Sequence, residues 1–374
     1  MKRSLFPYIQ KDLDKKIVLL AGPRQVGKTT LSKTLIKDFE YFNYDASADR
    51  KIVNAAQWRK DTDLVILDEV HKMRKWKSWI KGVYDTAGIP PRLLLTGSAR
   101  LDTFRKAGDS LAGRHFYYRL HPFTLKELKG QMDAEVTLKQ LLKFGGFPEP
   151  FLSNSERTAA RWRKGHLDVI LRQDILDLER VREIRSIEIL IELLAERVGS
   201  LVSYQSLAED IGTSIHTIKH WLEILQRLFV IFQVSPFSKN IAGALKKESK
   251  YYFYDVGQVL NGDAARLENV VACALLAELN FIEDTEGKKT ALHLIRDKQK
   301  HEVDFVVIVD KRPRLLVEVK MVDEAFSSSL FRFAERLGEK DLKSYQVVLE
   351  CSREKESQGV RLLSVAKFLN NIQL

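Results

Sequence analysis

The chain has 374 residues, 45% of them hydrophobic and 30% charged, enough for roughly two to three packed domains and too apolar for a disordered chain. Its longest apolar runs are strand-sized and broken by charge well short of the roughly 18 residues of a membrane span, which excludes a membrane-spanning protein. Lys+Arg 61 against Asp+Glu 50 leaves a net charge of +11, which points to an anionic partner, with nucleic acid the leading candidate.

At the N-terminus, Lys11, Asp12, Asp14, Lys15 and Lys16 stand where a signal peptide would carry its apolar stretch, so a cytoplasmic protein is expected. From Lys2 to about Gly130, β-rich runs at Ile17 to Ala21, Tyr41 to Tyr44, Leu64 to Leu67 and Arg92 to Thr96 alternate with helix-like segments. This is the pattern of a doubly wound α/β domain with a mostly parallel sheet. From about Val136 to Phe237 the apolar spacing becomes helical, punctuated by Gly145-Gly146-Phe147-Pro148. Within it, Ser206 to Ile211 and Ser214 to Leu228 flank Gly212, with Ile215, Ile218, Leu222, Leu225 and Phe229 on one face, and the pair resembles a helix-turn-helix. Val230 to Val234 and Tyr251 to Tyr254 supply the strands of a wing, with Lys239, Lys246, Lys247 and Lys250 between them.

From about Ala264 the pattern is the helix Leu267 to Leu279, strands at Ala291 to Ile295, Val303 to Val309 and Leu315 to Val319, a helix marked by Phe326, Leu330, Phe333 and Leu337, then a strand at Tyr345 to Leu349 and a final helix. This predicts a second, smaller α/β domain. The expected domains are residues 1–130, 131–260 and 261–374. Cys273 and Cys351 lack the paired spacing of a zinc or redox motif and read as reduced, inert thiols.

The sharpest chemical signal is GPRQVGKT, Gly22 to Thr29, placed between an apolar strand and a helix-like stretch as a P-loop requires. Gly22 and Gly27 allow the backbone to curl its N–H groups around phosphate, and Pro23, Arg24, Gln25, Val26 and Thr30 complete the predicted nucleotide contact. Lys28 reaches the β- and γ-phosphates, and the Thr29 hydroxyl ligates Mg²⁺. LVILDEVHK, Leu64 to Lys72, then supplies Asp68 as the Mg²⁺ partner and Glu69 as general base toward the attacking water. After the strand Leu93 to Leu95, Thr96 or Ser98 is expected either to sense the γ-phosphate or hold the water, or to satisfy backbone groups of the turn. Arg114 is read either as an arginine finger, in cis or toward a neighbouring subunit, or as a surface ion-pair residue.

These motifs, with SLAGR and LHPFTLKEL (Leu120 to Leu128), GGFPEP (Gly145 to Pro150) and YYFYDVG (Tyr251 to Gly257), resemble the AAA-superfamily ATPases of prokaryotes that carry a C-terminal uncharacterised domain of restriction-endonuclease-like type. The resemblance implies a P-loop sheet with an additional strand, a winged-helix-like connector and that terminal domain. ATP, ADP and Mg²⁺ are the expected ligands, and a homo-oligomer or protein partner is open.

In HEVDFVVIVDKRPRLLVEVK, His301 to Lys320, a turn near Lys311 to Pro313 brings Asp304 opposite the Glu318 to Lys320 end. Glu318 and Lys320 share that face by strand alternation, and Glu268 faces inward from the preceding helix. The set Glu268, Asp304, Glu318 and Lys320 is similar to the metal-dependent nuclease core of restriction-type enzymes, which would hold a second Mg²⁺ or Mn²⁺ and act on DNA. Val303 stands where the fuller pattern has proline, and structural use of an inherited scaffold is the competing reading. His216, Thr217, Lys219, His220 and Arg227 are the residues of the helix-turn-helix placed to meet DNA, unless the module serves as a packing connector. Mg²⁺-dependent ATP hydrolysis controlling the C-terminal module is the leading expectation. An ATP-gated nuclease or DNA-binding effector, and a slow nucleotide-state signalling protein, are the alternatives.

Overall fold

The computed structural model describes residues 1–97, 111–175, 183–238, 248–323 and 325–374. The chain forms two compact units. The first contains Met1–His121 with the short stretches Arg227–Phe229 and Asp284–Glu286. Its elements are α1 (Phe6–Leu13), β1 (Ile17–Ala21), α2 (Lys28–Ser32), β2 (Phe39–Asn43), α3 (Ser47–Ala55), β3 (Leu64–Asp68), α4 (Trp76–Ala87), β4 (Arg92–Thr96) and β5 (His115–Arg119).

The five strands form one sheet in the order β2-β3-β4-β1-β5, and every pairing is parallel. The expected parallel α/β domain is therefore present, with β4 inserted between β1 and β3. The runs IVLLA and LVILD are buried at every position, as strands covered on both faces require. Ile17, Leu19, Val65, Leu67, Leu93 and Leu95 pack with Val53 of α3 and with Trp76 and Ile80 of α4. The alternate residues Val18, Leu20, Ile66 and Leu94 are also fully buried, on the side that α1 covers. The register pairs Leu20 with Thr96 and Asp68 with Thr96, so the carboxyl ends of β1, β3 and β4 open along one edge.

The second unit contains Pro122–Gln226, Val230–Glu283 and Gly287–Leu374. It begins with the helices α5 (Ala134–Phe144), α6 (Pro148–Ser153), α7 (Glu156–Val169), α8 (Ile184–Ala195), α9 (Tyr204–Ile211) and α10 (Ile215–Arg227). Strands β6 (Ile231–Pro236) and β7 (Lys250–Phe253), the long helix α11 (Gly262–Glu286), β8 (Thr290–Arg296), β9 (Glu302–Val309) and β10 (Arg312–Val322) follow. The chain closes with α12 (Ser328–Leu337), β11 (Lys343–Glu350), β12 (Lys355–Ser357), β13 (Val360–Ser364) and α13 (Val365–Asn370).

The predicted helix pair is present as α9 and α10, with Gly212 left-handed at φ +74 closing the first helix. The buried face of α10 is Ile218, Trp221, Leu222, Ile224 and Leu225. Ile215, expected on that face, is 43% exposed at the first position of α10, and Trp221 takes a place on the buried face instead. The expected wing strands pair antiparallel as β6 and β7, but they do not stand apart. Through Ser235 and Pro236, β6 pairs in parallel with β8, giving an eight-stranded sheet in the order β12-β13-β11-β10-β9-β8-β6-β7.

The β9–β10 hairpin turns at Asp310 and Lys311, at φ +49 and +66, a two-residue turn whose positive dihedrals suit the strand twist. Cys273 is half-buried, its thiol donates to the Phe253 carbonyl at 3.1 Å, and desolvation pushes its pKa up. Among the described residues no helix is long and apolar enough to cross a membrane.

GGFPEP and YYFYDVG meet in the second unit. The Asp255 carboxylate accepts Arg163 Nε at 2.7 Å and the Gly257 N–H at 3.1 Å, and Gly145 lies against the same carboxylate at φ +78. A Cβ at Gly145 would strike Asp255 Oδ1. Gly145→Ala is therefore expected to lower unfolding free energy by about 2 kcal/mol, combining a strained left-handed alanine with a displaced ion pair, as measured by urea denaturation. Asp255→Asn, which keeps the shape, should lose less.

Candidate functional site

The phosphate-binding loop joins β1 to α2. Its curl is built from unusual dihedrals at Gly22 (φ +148), Gln25 (φ +58) and Gly27 (φ +97), and any side chain at Gly22 would collide with the Leu120 carbonyl oxygen. Gly27 is the N-cap of α2 and no side chain caps the helix, so the first-turn N–H groups, which have no intrahelical acceptor, are presented to the loop. The Lys28 ammonium is buried and donates to the carbonyls of Gly22 at 2.9 Å and Pro23 at 2.7 Å. Pro23 and Val26 are buried beneath the loop, while Gln25 and Thr30 are exposed. Backbone N–H groups, a helix start and one ammonium form a cradle suited to a polyphosphate.

At the same sheet edge, the Asp68 carboxylate is 8% exposed and accepts four hydrogen bonds. Thr29 Oγ1 donates to Oδ2 at 3.1 Å and Tyr41 Oη to Oδ2 at 2.7 Å. Thr96 Oγ1 donates to Oδ1 at 2.5 Å and the Glu69 N–H to Oδ1 at 3.1 Å. Thr29 and Asp68, the predicted Mg²⁺ pair, are thus in direct contact. An alcohol and a carboxylate offer only oxygen, the donor type a hard divalent cation takes. Tyr41 is a member of the site that the motifs do not announce. Its signal lies in register, since β2 runs beside β3 with Tyr41 paired to Ile66, and strand alternation leaves it on the Asp68 side. The Lys33 ammonium stands 3.9 Å from the centre of the Tyr41 ring. Burial, and then its bond to Asp68, keep the Tyr41 phenol protonated.

Glu69 takes a left-handed backbone, φ +56, an uncommon conformation for a residue with a side chain. It turns the side chain away from the strand direction immediately after Asp68. Its Oε2 lies 3.3 Å from His71 Nε2 without a hydrogen-bonding angle. Burial, then the neighbouring Asp68 charge, raise the Glu69 carboxyl above its ordinary value, while Lys72, Lys28 and Arg24 pull against that shift. A carboxylate with a raised pKa beside the P-loop is a stronger proton acceptor than an exposed one.

Two of the sequence expectations change. The Thr96 hydroxyl is fully buried and its one proton is committed to Asp68, so Thr96 positions the carboxylate and does not donate to a γ-phosphate. Arg114 precedes His115, which pairs with Ile17 at the amino end of β1, about 16 Å of strand from Gly22 at some 3.3 Å per residue. There it is bidentate to Asp85, at 2.7 and 3.1 Å, which makes it an ion-pair residue and removes it as a finger acting in cis. Ser98 lies outside the described residues.

In the second unit, β9 and β10 pair with Phe305 opposite Val317, so Asp304 faces Glu318 as expected. Asp304 Oδ2 accepts the Val319 N–H at 3.0 Å, and Lys320 pairs with Glu318 at 2.9 Å. Glu268 of α11 joins the group through a residue expected in the loop between the wing strands. Lys250 is only 2% exposed and bonds Glu268, Asp304 and Glu302. Burial and the Asp304 charge push both Glu268 and Glu318 up to about 7. The four predicted residues are therefore together, but among the described residues no group of three or more His, Cys, Asp or Glu is arranged to hold a metal ion. The expected second Mg²⁺ or Mn²⁺ is thus not supported. On α10, His216, Lys219 and Arg227 are exposed, His220 is half-buried, and the Thr217 N–H is bonded to Ser214 Oγ. Lys239, Lys246 and Lys247 lie outside the described residues.

Comparison with known proteins matches residues 14–129 to the AAA domain family. This part of the chain is similar to AAA domains, the domain type of a P-loop ATPase. Two further matches follow it, to the domains of unknown function DUF8612 over residues 135–262 and DUF4143 over residues 264–368. An uncharacterised protein of Mycobacterium tuberculosis is 28% identical over 245 residues, covering 64% of this chain and 54% of that protein. A Mycobacterium bovis protein matches with the same figures, so the chain spans about half the length of these two relatives. An uncharacterised protein of Methanocaldococcus jannaschii is 24% identical over 383 residues, 91% of this chain and 80% of that protein. Among solved structures, a RuvB variant of Thermotoga maritima aligns at 16% identity with a TM-score of 0.30, covering 61% of this chain and 86% of that one. A DNA polymerase III gamma subunit-related protein of Thermotoga maritima aligns at 14% identity with a TM-score of 0.26, covering 60% and 83%.

Removing the Tyr41 hydroxyl in the AAA-like domain leaves Asp68 Oδ2 with Thr29 as its side-chain donor. Tyr41→Phe is expected to cost about 1–3 kcal/mol of stability, the usual worth of a hydrogen bond to a charged group, read by denaturant melts. It should also raise the Mg²⁺ concentration for half-maximal nucleotide binding several-fold, read by titration with a fluorescent nucleotide. An unchanged Mg²⁺ dependence would show that Tyr41 does not position Asp68.

Proposed function

We propose that the chain is a Mg²⁺-dependent ATPase with Glu69 as its general base, and that its nucleotide state controls the second unit. The observation that carries the reading is the meeting of Lys28, Thr29, Asp68 and Glu69 at one edge of the parallel sheet. Thr29 and Asp68 would hold Mg²⁺, whose charge would offset that of the β- and γ-phosphates. The loop N–H groups bind the phosphate chain, and Lys28 exchanges its loop carbonyls for phosphate oxygens. Glu69 accepts a proton from the attacking water at its carboxylate. Asp68, held by Tyr41 and Thr96, keeps its position while that happens.

Support for control of the second unit comes from the backbone after β5. Gly22 packs on the Leu120 carbonyl, and three residues later Phe123 donates its N–H to the Gly146 carbonyl at 2.7 Å, beside the Gly145–Asp255 contact. A change of loop geometry at Gly22 thus bears on backbone that leads within three residues into the second unit's GGFPEP turn.

Lys28→Ala should reduce turnover to background, and retained ATPase activity in that variant would remove the assignment. Glu69→Gln should bind nucleotide as before and lower kcat by roughly 10²- to 10⁴-fold, the usual contribution of a general base. The base works ionised, and the raised Glu69 pKa means that it protonates while pH is still above its ordinary value of 4.5. Activity should therefore fall on acidification at a pH above 4.5, and this limb should be missing from the residual activity of Glu69→Gln, as read from kcat against pH.

A further inference from the structure

We propose that the Lys250 ammonium is the resident cation of the C-terminal carboxylate cage, standing where a restriction-type core would hold its metal, so that this module takes up no Mg²⁺ or Mn²⁺ at these residues and cleaves no phosphodiester there. An ammonium has three protons to donate. All three of Lys250's directions end on carboxylate oxygens from separate side chains: Glu302 Oε1 at 2.9 Å, Glu268 Oε1 at 3.0 Å and Asp304 Oδ1 at 3.1 Å. These come from α11 and β9, and the lysine itself opens β7, with its side chain 3% exposed.

The second oxygens of Glu302 and Asp304 are also engaged. Arg296 pairs with Glu302 Oε2 at 3.0 Å and the Val319 N–H occupies Asp304 Oδ2, while Tyr252 Oη donates at 2.6 Å to the same Glu268 Oε1 that Lys250 holds. Mg²⁺ would need the same oxygens at about 2.0–2.1 Å and would have to take them from a buried ammonium, leaving that charge without its partners, which is strongly disfavoured. Backbone pairing of Lys250 with Val234 fixes where its side chain starts, so the ammonium is delivered to the carboxylates from a defined strand position. Burial opposes the charge on Lys250, and Asp304, Glu268 and Glu302 more than offset that, so it stays protonated. Lys320, the lysine of the expected nuclease core, pairs with Glu318, whose carboxyl burial and Asp304 push up to about 7 and so toward its neutral form.

The test uses the full chain carrying Asp68→Asn, which takes the nucleotide-site metal out of the measurement and makes the result independent of ATP hydrolysis. Free Mn²⁺ is followed by electron paramagnetic resonance without nucleotide. The Asp68→Asn chain should bind no Mn²⁺ and leave plasmid DNA intact in Mg²⁺ or Mn²⁺. Adding Lys250→Met should create one Mn²⁺ site per chain and make the melting temperature rise with Mn²⁺. Mn²⁺ binding by the Asp68→Asn chain that Asp304→Asn abolishes would overturn the proposal, as would a folded Lys250→Met chain that gains no Mn²⁺. Where Lys250→Met does not fold, recovery by the further change Glu268→Gln, which removes one of the stranded charges, supports the cage. Failure of that recovery in both the presence and absence of Mn²⁺ counts against it.

Discussion

The Asp68 carboxylate is the point on which the first unit turns. A buried carboxylate is tolerated only when its oxygens are satisfied, and the donors here come from α2, β2, β4 and its own backbone neighbour. No one of those elements is near Asp68 in sequence except Glu69. They converge because five strands run parallel in one register, with β4 beside β3 and β2 on its other side. The strand order is thus inseparable from the chemistry. A sheet that placed β1 directly against β3 would put the Thr96 hydroxyl elsewhere and leave Oδ1 with one donor.

Those parts of the site that are contiguous in the chain are legible from residue order alone. Gly22 to Thr29 lies in one loop flanked by an apolar strand and a helix start, and Asp68 and Glu69 follow four apolar residues. The hairpin that sets Asp304 opposite Glu318 is legible for a related reason, because period-two alternation leaves little freedom in pairing once the turn is located. What residue order hides depends on distant pairings. Tyr41 lies 27 positions from Asp68, and Lys250 lies 54 from Asp304. Lysine in a stretch rich in lysine reads as a solvated loop, and only the burial of its three carboxylate partners reverses that. Arg114 is a residue that order leaves open between a finger and an ion pair. Its residue type suits a transition-state contact, yet the register carries it to the far end of the strand. On α10, helical spacing nominates Ile215 as core, and Trp221 takes its share of the buried face because its larger ring reaches the interior.

The two acidic sites solve one electrostatic problem differently. At Asp68 the donors are hydroxyls and a backbone N–H, neutral groups that leave the carboxylate its full charge and so its attraction for a cation. At Asp304 the main donor is itself a cation, and the local field is largely cancelled inside the protein. Similar residue lists, carboxylates with a nearby lysine, thus sit in different local fields, because Lys28 donates to the loop carbonyls of Gly22 and Pro23 whereas Lys250 donates to the carboxylates themselves.

Sharing one sheet between β6–β7 and the C-terminal strands also bears on how the chain reaches its native state. The β8–β9 and β9–β10 pairings join neighbours in sequence, whereas Ser235 must find His293 across the whole of α11. Closing that loop costs entropy before any contact compensates for it. Until it closes, Glu302 and Asp304 stand side by side on a partly formed hairpin without their ammonium, repelling each other. Assembly of this half should therefore slow at low ionic strength and quicken as salt screens the uncancelled charges, a kinetic signature set by the order in which the strands join the sheet.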